Sequence, residues 1–130
     1  MDIRSLVPKD KHDISSIAEL KRLSDTETEP IIPELLQWMQ DMNWPVADDI
    51  AEILSMHAGI AAPYAAELLK PEQKDEIWKF NIINYLLKRN KSFSENALII
   101  SEVERIAASP TKGEQDEFVD SAAKEYLQEI

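Results

Sequence analysis

The chain has 130 residues, with 25 acidic side chains against 14 basic ones, a net charge of −11 and no cysteine. That length is enough for one domain that buries about two-thirds of its unfolded surface without a disulfide or metal staple. The absence of thiols excludes cysteine nucleophiles, Cys-based zinc sites and disulfide frameworks, and it fits a reducing compartment. The acids are scattered along the chain instead of forming a tail. Such a field repels phosphate backbones and attracts basic surfaces, so the expected partner is a basic protein and not nucleic acid. The first eleven residues hold no apolar core of signal-peptide length, and the apolar stretch around Ile60 to Ala66 contains Pro63 and is too short for a bilayer. The expectation is a cytoplasmic protein that does not engage a membrane.

Helix one is expected from about Asp13 to Ser24, with Ile14, Ile17, Ala18 and Leu20 at helical spacing behind Asp13 as N-cap. Asp25 to Glu29 reads as a polar connection. Pro30 and Pro33 suit only a first turn, and Leu35, Leu36, Trp38 and Met39 then mark the apolar face of helix two, which ends near Asp41. Trp38 to Leu54 is the most informative run. Two aromatics flank Asn43 and Pro45, so the chain must reverse within a few residues and lay two helices side by side. Helix three opens at Pro45, buries Val46, Ala47, Ile50, Ala51, Ile53 and Leu54, and stops at Gly59.

A short helix from about Ala61 to Lys70 follows, closed by Pro71. Asp75 caps helix five, whose apolar residues Ile77, Trp78, Phe80, Ile83, Leu86 and Leu87 make it the expected centre of the molecule. Ser92 with Glu95, and Thr111 with Glu114, have the spacing of capping boxes and are expected to open helices six and seven. The last helix carries a one-sided stripe through Phe118, Val119, Ala122, Ala123, Tyr126, Leu127 and Ile130, as a terminal capping element should.

No run alternates like a half-buried strand, so the class is all-α, in one domain over residues 1–130. A period of 33 residues relates Ile14, Ala47 and Phe80, and likewise Ile17, Ile50 and Ile83. Periods of that size belong to stacked helical hairpins. The expected architecture is a HEAT-like α-α superhelix of about three hairpins plus a C-terminal capping helix, with an irregular helical bundle as its competitor.

Chemistry-bearing patterns are sparse. His12 and His57 are the only histidines and have no compact ligand spacing, so no metal site is expected. For His57 the dipole at a helix C-terminus is explanation enough. With two glycines there is no phosphate-cradling loop, nucleophile elbow or calcium loop, and no cofactor is expected. Asp48 with Glu52 and Glu102 with Glu104 resemble acid/base couples, but amphipathic spacing points them into water, where neither pKa would be raised. No catalytic residue is assigned. Lys9, Lys11 and His12, near the expected start of helix one, form a weak candidate for anion binding. The stronger candidate is an interaction surface at Trp38, Asp41, Asn43, Trp44, Trp78, Asn81 and Asn84, a polar-rimmed aromatic patch at one end of the stacked hairpins.

Four motifs in order carry a family resemblance: Pro8 to Asp13; Pro33 to Trp38 leading into Gln40 to Ala47; Asp75 to Lys79; and Arg105 to Ala107 with Pro110 and Thr111. Together they closely resemble the bacterial family known as domain of unknown function 5071, over nearly the whole chain. The resemblance implies a small HEAT-like helical protein without an assigned activity, and it carries over no catalytic residue. The family pattern has two aromatics after the Trp-Lys pair, where this chain has Phe80 and then Asn81. The functional expectation is a noncatalytic protein-interaction module, with an immunity or antitoxin-like protein as one version on the analogy of charge and size. The alternative is a small hydrolase or ligand-binding protein with a pocket between stacked pairs, lined by Trp44, Trp78, Asn81 and Asn84.

Overall fold

The computed structural model describes residues 2–130, and among them every regular element is helical and none is a strand. The helices are α1 (Ile17–Leu20), α2 (Asp25–Thr28), α3 (Ile32–Gln37), α4 (Ala47–Met56), α5 (Ala58–Leu68), α6 (Glu76–Asn81), α7 (Ala97–Ala108), α8 (Lys112–Asp116) and α9 (Val119–Glu129), with 3-10 turns between several of them. No helix of the described residues is long and apolar enough to cross a membrane.

The centre of the molecule is α4 with α5. Ala47, Ile50, Ala51, Ile53 and Leu54 of α4 are fully buried, and α5 meets its neighbours through Ala58, Ala61, Ala62, Ala65 and Ala66. Small side chains at helical spacing let backbones approach closely, so α5 can touch α3, α4 and α7 at once. The Trp38 to Leu54 reversal is present, and α3 packs on α4. Helix five of the sequence reading is less regular than expected. After α6 it continues as a π-helical turn, Ile82–Leu86, and a 3-10 turn, Leu87–Arg89, burying Ile82, Ile83, Leu86 and Leu87.

Several boundaries differ from the sequence reading, for local reasons. Helix one shrinks to a single turn because Asp13 does not cap it. The Asp13 carboxylate instead accepts from the Ser15 hydroxyl, the Lys9 N–H and the Ser15 N–H, which hold its pKa down at about 2. Asp25 to Glu29 is not a plain connection: Ser24 and Glu27 form a capping box that opens α2. Gly59 does not stop a helix. The break falls at His57 (φ −119°, ψ 38°), and Gly59 lies inside α5 with open space around its Cα. Ser92 and Glu95 sit in a 3-10 turn, and Asn96 is the cap of α7, accepting from the Ile99 N–H. The Asp75 cap and the Thr111–Glu114 box stand where expected, although the final helix is divided at Phe118, whose φ of 62° ends α8 before α9 begins, and Phe118 and Ile130, expected on the apolar stripe, are both exposed.

The Thr111–Glu114 box has a second duty. Glu114 is fully buried, as is Lys79 of α6, and Lys79 Nζ donates to Glu114 Oε2 at 2.7 Å. Arg105 of α7 forks onto both oxygens of the same carboxylate at 3.0 and 2.9 Å, and its Nη2 also donates to the Leu69 carbonyl just beyond α5. Glu76 lies 3.4 Å from Lys79, tucked so close to Gly113 that a Cβ there would come within 2.6 Å of its carboxylate. Burial pushes the Glu114 carboxyl up, but Arg105, Lys79 and the Thr111 N–H outweigh it and hold the pKa at about 2.

Two outcomes follow for stability. Gly59→Ala should stabilise the fold by about 0.5–1 kcal/mol in urea unfolding, since the helical site has room for a methyl and alanine lowers unfolded-state entropy. Glu114→Gln should cost about 3 kcal/mol or more, because two cations lose their shared carboxylate. Since the folded pKa of Glu114 is depressed, its stabilisation is complete above about pH 4.5 and is lost as pH falls toward 2. Stability of the glutamine variant should therefore fall less steeply across that window than stability of the wild type.

Candidate functional site

The sequence-predicted aromatic residues gather around α3. This short helix turns Ile32, Leu35 and Leu36 inward, and leaves Pro33 and Gln37 exposed with Glu34 half-buried beside them. A cleft lies on each flank of that outward stripe, and Gln37 borders both.

The first cleft is built by the turn after α3. Asp41 makes a local turn in which its carboxylate accepts from the Asn43 N–H at 2.8 Å and its carbonyl from the Trp44 N–H at 3.1 Å. The chain therefore folds back and sets Trp44 against Trp38, ring centroids 5.6 Å apart and planes at 70°, an edge-to-face pair worth about 1 kcal/mol beyond its burial. The Val46 N–H donates to the Lys11 carbonyl, tying the N-terminal segment across the turn so that Val7 and Pro8 complete the wall. The cleft encloses about 290 Å³, and among the described residues Glu34 is its only charged wall residue. Both indoles are half-buried.

The second cleft lies between α3, α5 and α6. Asp75 accepts from the Trp78 N–H, which fixes the first turn of α6, and the Trp78 indole N–H then donates to the Leu36 carbonyl at 3.0 Å. With Pro33, Leu36, Tyr64 and Leu68, Trp78 walls a space of about 230 Å³ that is mainly apolar, with Glu67 at its edge paired to Lys70 at 2.9 Å. One turn after Trp78, the buried Asn81 amide donates to the Met39 and Gln40 carbonyls at 2.8 and 3.3 Å, satisfying the frayed end of α3. Asn81 is therefore a strut beneath the surface, and Asn84, half-buried on the π-helical turn, borders neither cleft. Asn43 is exposed at the tip of the turn.

The other candidates separate from this surface. Lys9, Lys11 and His12 are exposed on a loop whose amides are taken by Asp13 and Asp10, four or more residues before α1, and they wall neither cleft. His57 is buried between α4 and α5, and both ring nitrogens are engaged, Nδ1 with Asp25 and Nε2 with the fully buried Thr28 hydroxyl. It pins α2 onto the α4–α5 junction. Asp48 and Glu52 both pair with Arg89, and Glu102 pairs with Arg105, so neither expected couple is free for proton transfer. Among the described residues no group of three or more His, Asp or Glu side chains converges as a metal site. A separate cleft of about 300 Å³ near Tyr126 is flanked by Lys88, but that ammonium already meets Glu125 and Glu129.

Sequence reading missed Glu34, Gln37 and Leu68 as members of the surface. A signal was present: Glu34 and Gln37 lie three residues apart on the helix that ends in Trp38, opposite its apolar stripe.

An all-helical domain presenting aromatic-walled clefts on both sides of one short helix is thus the class of protein defined by these observations. The family described as Domain of unknown function (DUF5071) matches residues 6–127, and the chain belongs to it. Comparison with curated proteins finds no match.

Replacing Asn81 by alanine should leave the Met39 carbonyl without its donor and cost about 1–3 kcal/mol in urea unfolding. The same change should loosen the Trp38–Trp44 pair, read as a shift of tryptophan fluorescence at temperatures where the variant is still folded.

Proposed function

We propose that the protein is a noncatalytic protein-interaction module and that the outward face of α3, with its two flanking clefts, is the docking surface. The observation that carries this reading is the sharing of Gln37 between an indole-walled cleft on one side and an apolar, tryptophan-bounded cleft on the other. Tryptophan in a well-packed pocket is the residue type that dominates binding hot spots. At about 290 and 230 Å³ each cleft has room for one partner side chain.

The small-ligand alternative has less support, since Trp44 and Trp78 wall different clefts and Asn81 is occupied beneath them. In the same proposal the scaffold is HEAT-like. Its support is that α3 packs on α4, α4 on α5 and α5 on α7, each helix covering what its neighbour leaves open. The basic nature of the partner and an immunity or antitoxin-like role rest on the net charge of −11, and a cytoplasmic setting on the lack of cysteine.

The test is quantitative affinity purification from the native host with wild type, Gln37→Arg and, as a surface control away from α3, Lys124→Ala. Gln37 is exposed, so the substitution leaves the fold intact while obstructing both clefts. A protein retained by wild type and by the control but reduced about tenfold or more by Gln37→Arg is expected. Equal retention by all three would falsify the assignment of this face.

A further inference from the structure

The docking reading can be carried to the chemistry of one partner side chain. In the Trp38–Trp44 cleft the two indoles stand 70° apart, with the side chains of Gln37 and Gln40 on the wall beside them. Among the described residues Glu34 supplies the only wall charge. One of its oxygens, Oε2, is buried and has no hydrogen-bond partner among the described residues. The other, Oε1, faces Arg4 Nε at 3.6 Å, beyond hydrogen-bonding range, and both of those side chains are partly in water (62% and 40% exposed). Oε2 is closed off by the protein, so Oε1 is the oxygen that a cleft occupant can reach, and an apolar occupant would desolvate it without supplying a donor.

A guanidinium answers each of these features. It stacks its plane on an indole face, donates N–H groups to a carboxylate oxygen and to amide oxygens, and is more weakly hydrated than an ammonium. The neighbouring cleft does not share the feature: Glu67 is already held by Lys70, and the remaining wall is chiefly apolar. Lys9 and Lys11 are exposed on the loop after Pro8 and do not wall the Trp38–Trp44 cleft, so among the described residues Arg4 is the cation that contends for Glu34.

We propose that the Trp38–Trp44 cleft is the receptor for an arginine side chain of the protein partner, with Glu34 meeting the guanidinium and Arg4 acting as its internal competitor. This rests on the docking reading above. Its test uses N-acetyl-arginine amide as probe at low ionic strength, followed through the indole N–H signals of Trp38 and Trp44, with Trp78 as the internal reference. Saturable shifts of the first two signals are expected. Glu34→Gln should weaken binding about fivefold, and Arg4→Ala, which frees the carboxylate, should tighten it by about the same factor. The gain on removing Arg4 separates recognition from a structural role, because loss of a merely supporting contact would not improve binding.

N-acetyl-citrulline amide bound as tightly as the arginine probe, or the absence of saturable shifts at Trp38 and Trp44, would overturn the assignment. Equal binding of N-acetyl-lysine amide would overturn the guanidinium in particular. The two proposals fail separately. If partner capture depends on Gln37 and the arginine probe does not bind, only the arginine assignment falls. Capture independent of Gln37 removes the docking face itself.

Discussion

The Glu114 carboxylate is the constraint on which the rest of this structure depends. It is fully buried, closes the cap of α8 and accepts from Lys79 of α6 and Arg105 of α7. Through Arg105 Nη2 the same cluster reaches the Leu69 carbonyl at the end of α5, so four helices are referred to one group. Such an ion cluster is weak evidence for extra stability, since desolvation offsets most of the Coulombic gain. Its effect is on geometry. A buried ammonium tolerates few positions for its partners, and this fixes the rotation of α6. Lys79 faces α8, so Trp78 and Asn81, three residues apart on another side of the helix, are delivered to the exposed end of α3. The surface on α3 is thus set by a charge cluster on the opposite flank of α6.

What could be read from the sequence was what local rules decide without competition. Asp75 and the Thr111–Glu114 pair are isolated capping signals, and both caps formed. Where two signals stand close together, the sequence does not say which wins. Ser92 and Glu95 match a box, but Asn96 is nearer the apolar run of α7 and caps it. Asp13 had a closer use for its carboxylate in the turn from Lys9 to Ser15, and the first helix lost its start. Gly59 read as a stop because glycine is common after helices, yet its φ is not positive and the chain turns at His57, where Asp25 and Thr28 hold the ring. Those contacts span about thirty residues of sequence and leave no local trace. Lys79 was equally opaque, because a lysine inside the core departs from every pattern except that of a dedicated partner.

The aromatic surface was legible in its indoles and not in its frame. Trp38 and Trp44 were placed by the turn chemistry of Asp41 and Asn43, which is local and visible. The meeting of Trp78 with α3 required the register of α6, which the sequence leaves open. Asn81 and Asn84 looked like rim residues because both are polar near an aromatic. The structure gives Asn81 the carbonyls left unsatisfied at the end of α3, a duty that becomes visible only when α3 is seen to end in turns.

The manner in which α3 is held bears on recognition. A helix of six residues has little intrinsic stability and would fray at both ends. Here the Leu36, Met39 and Gln40 carbonyls accept donors from α6, and the turn beyond them is closed by Asp41. The two clefts are therefore held in place by the fold, and in the docking proposal binding would not need to order them, which removes part of the entropic cost of association. In the docking proposal charge acts in two ranges on such a surface. The net −11 is spread over the molecule and would steer a basic partner only within about 10 Å in physiological salt. At contact the nearest charges would be Glu34 and Glu67, which among the described residues are the carboxylates on the walls of the two clefts. Glu67 meets Lys70 at 2.9 Å and Glu34 meets Arg4 only at 3.6 Å, so the two clefts differ in polarity although they share Gln37. Under that proposal a partner would have to match this asymmetry as well as the overall sign, with the remaining acidic surface governing the rate of encounter.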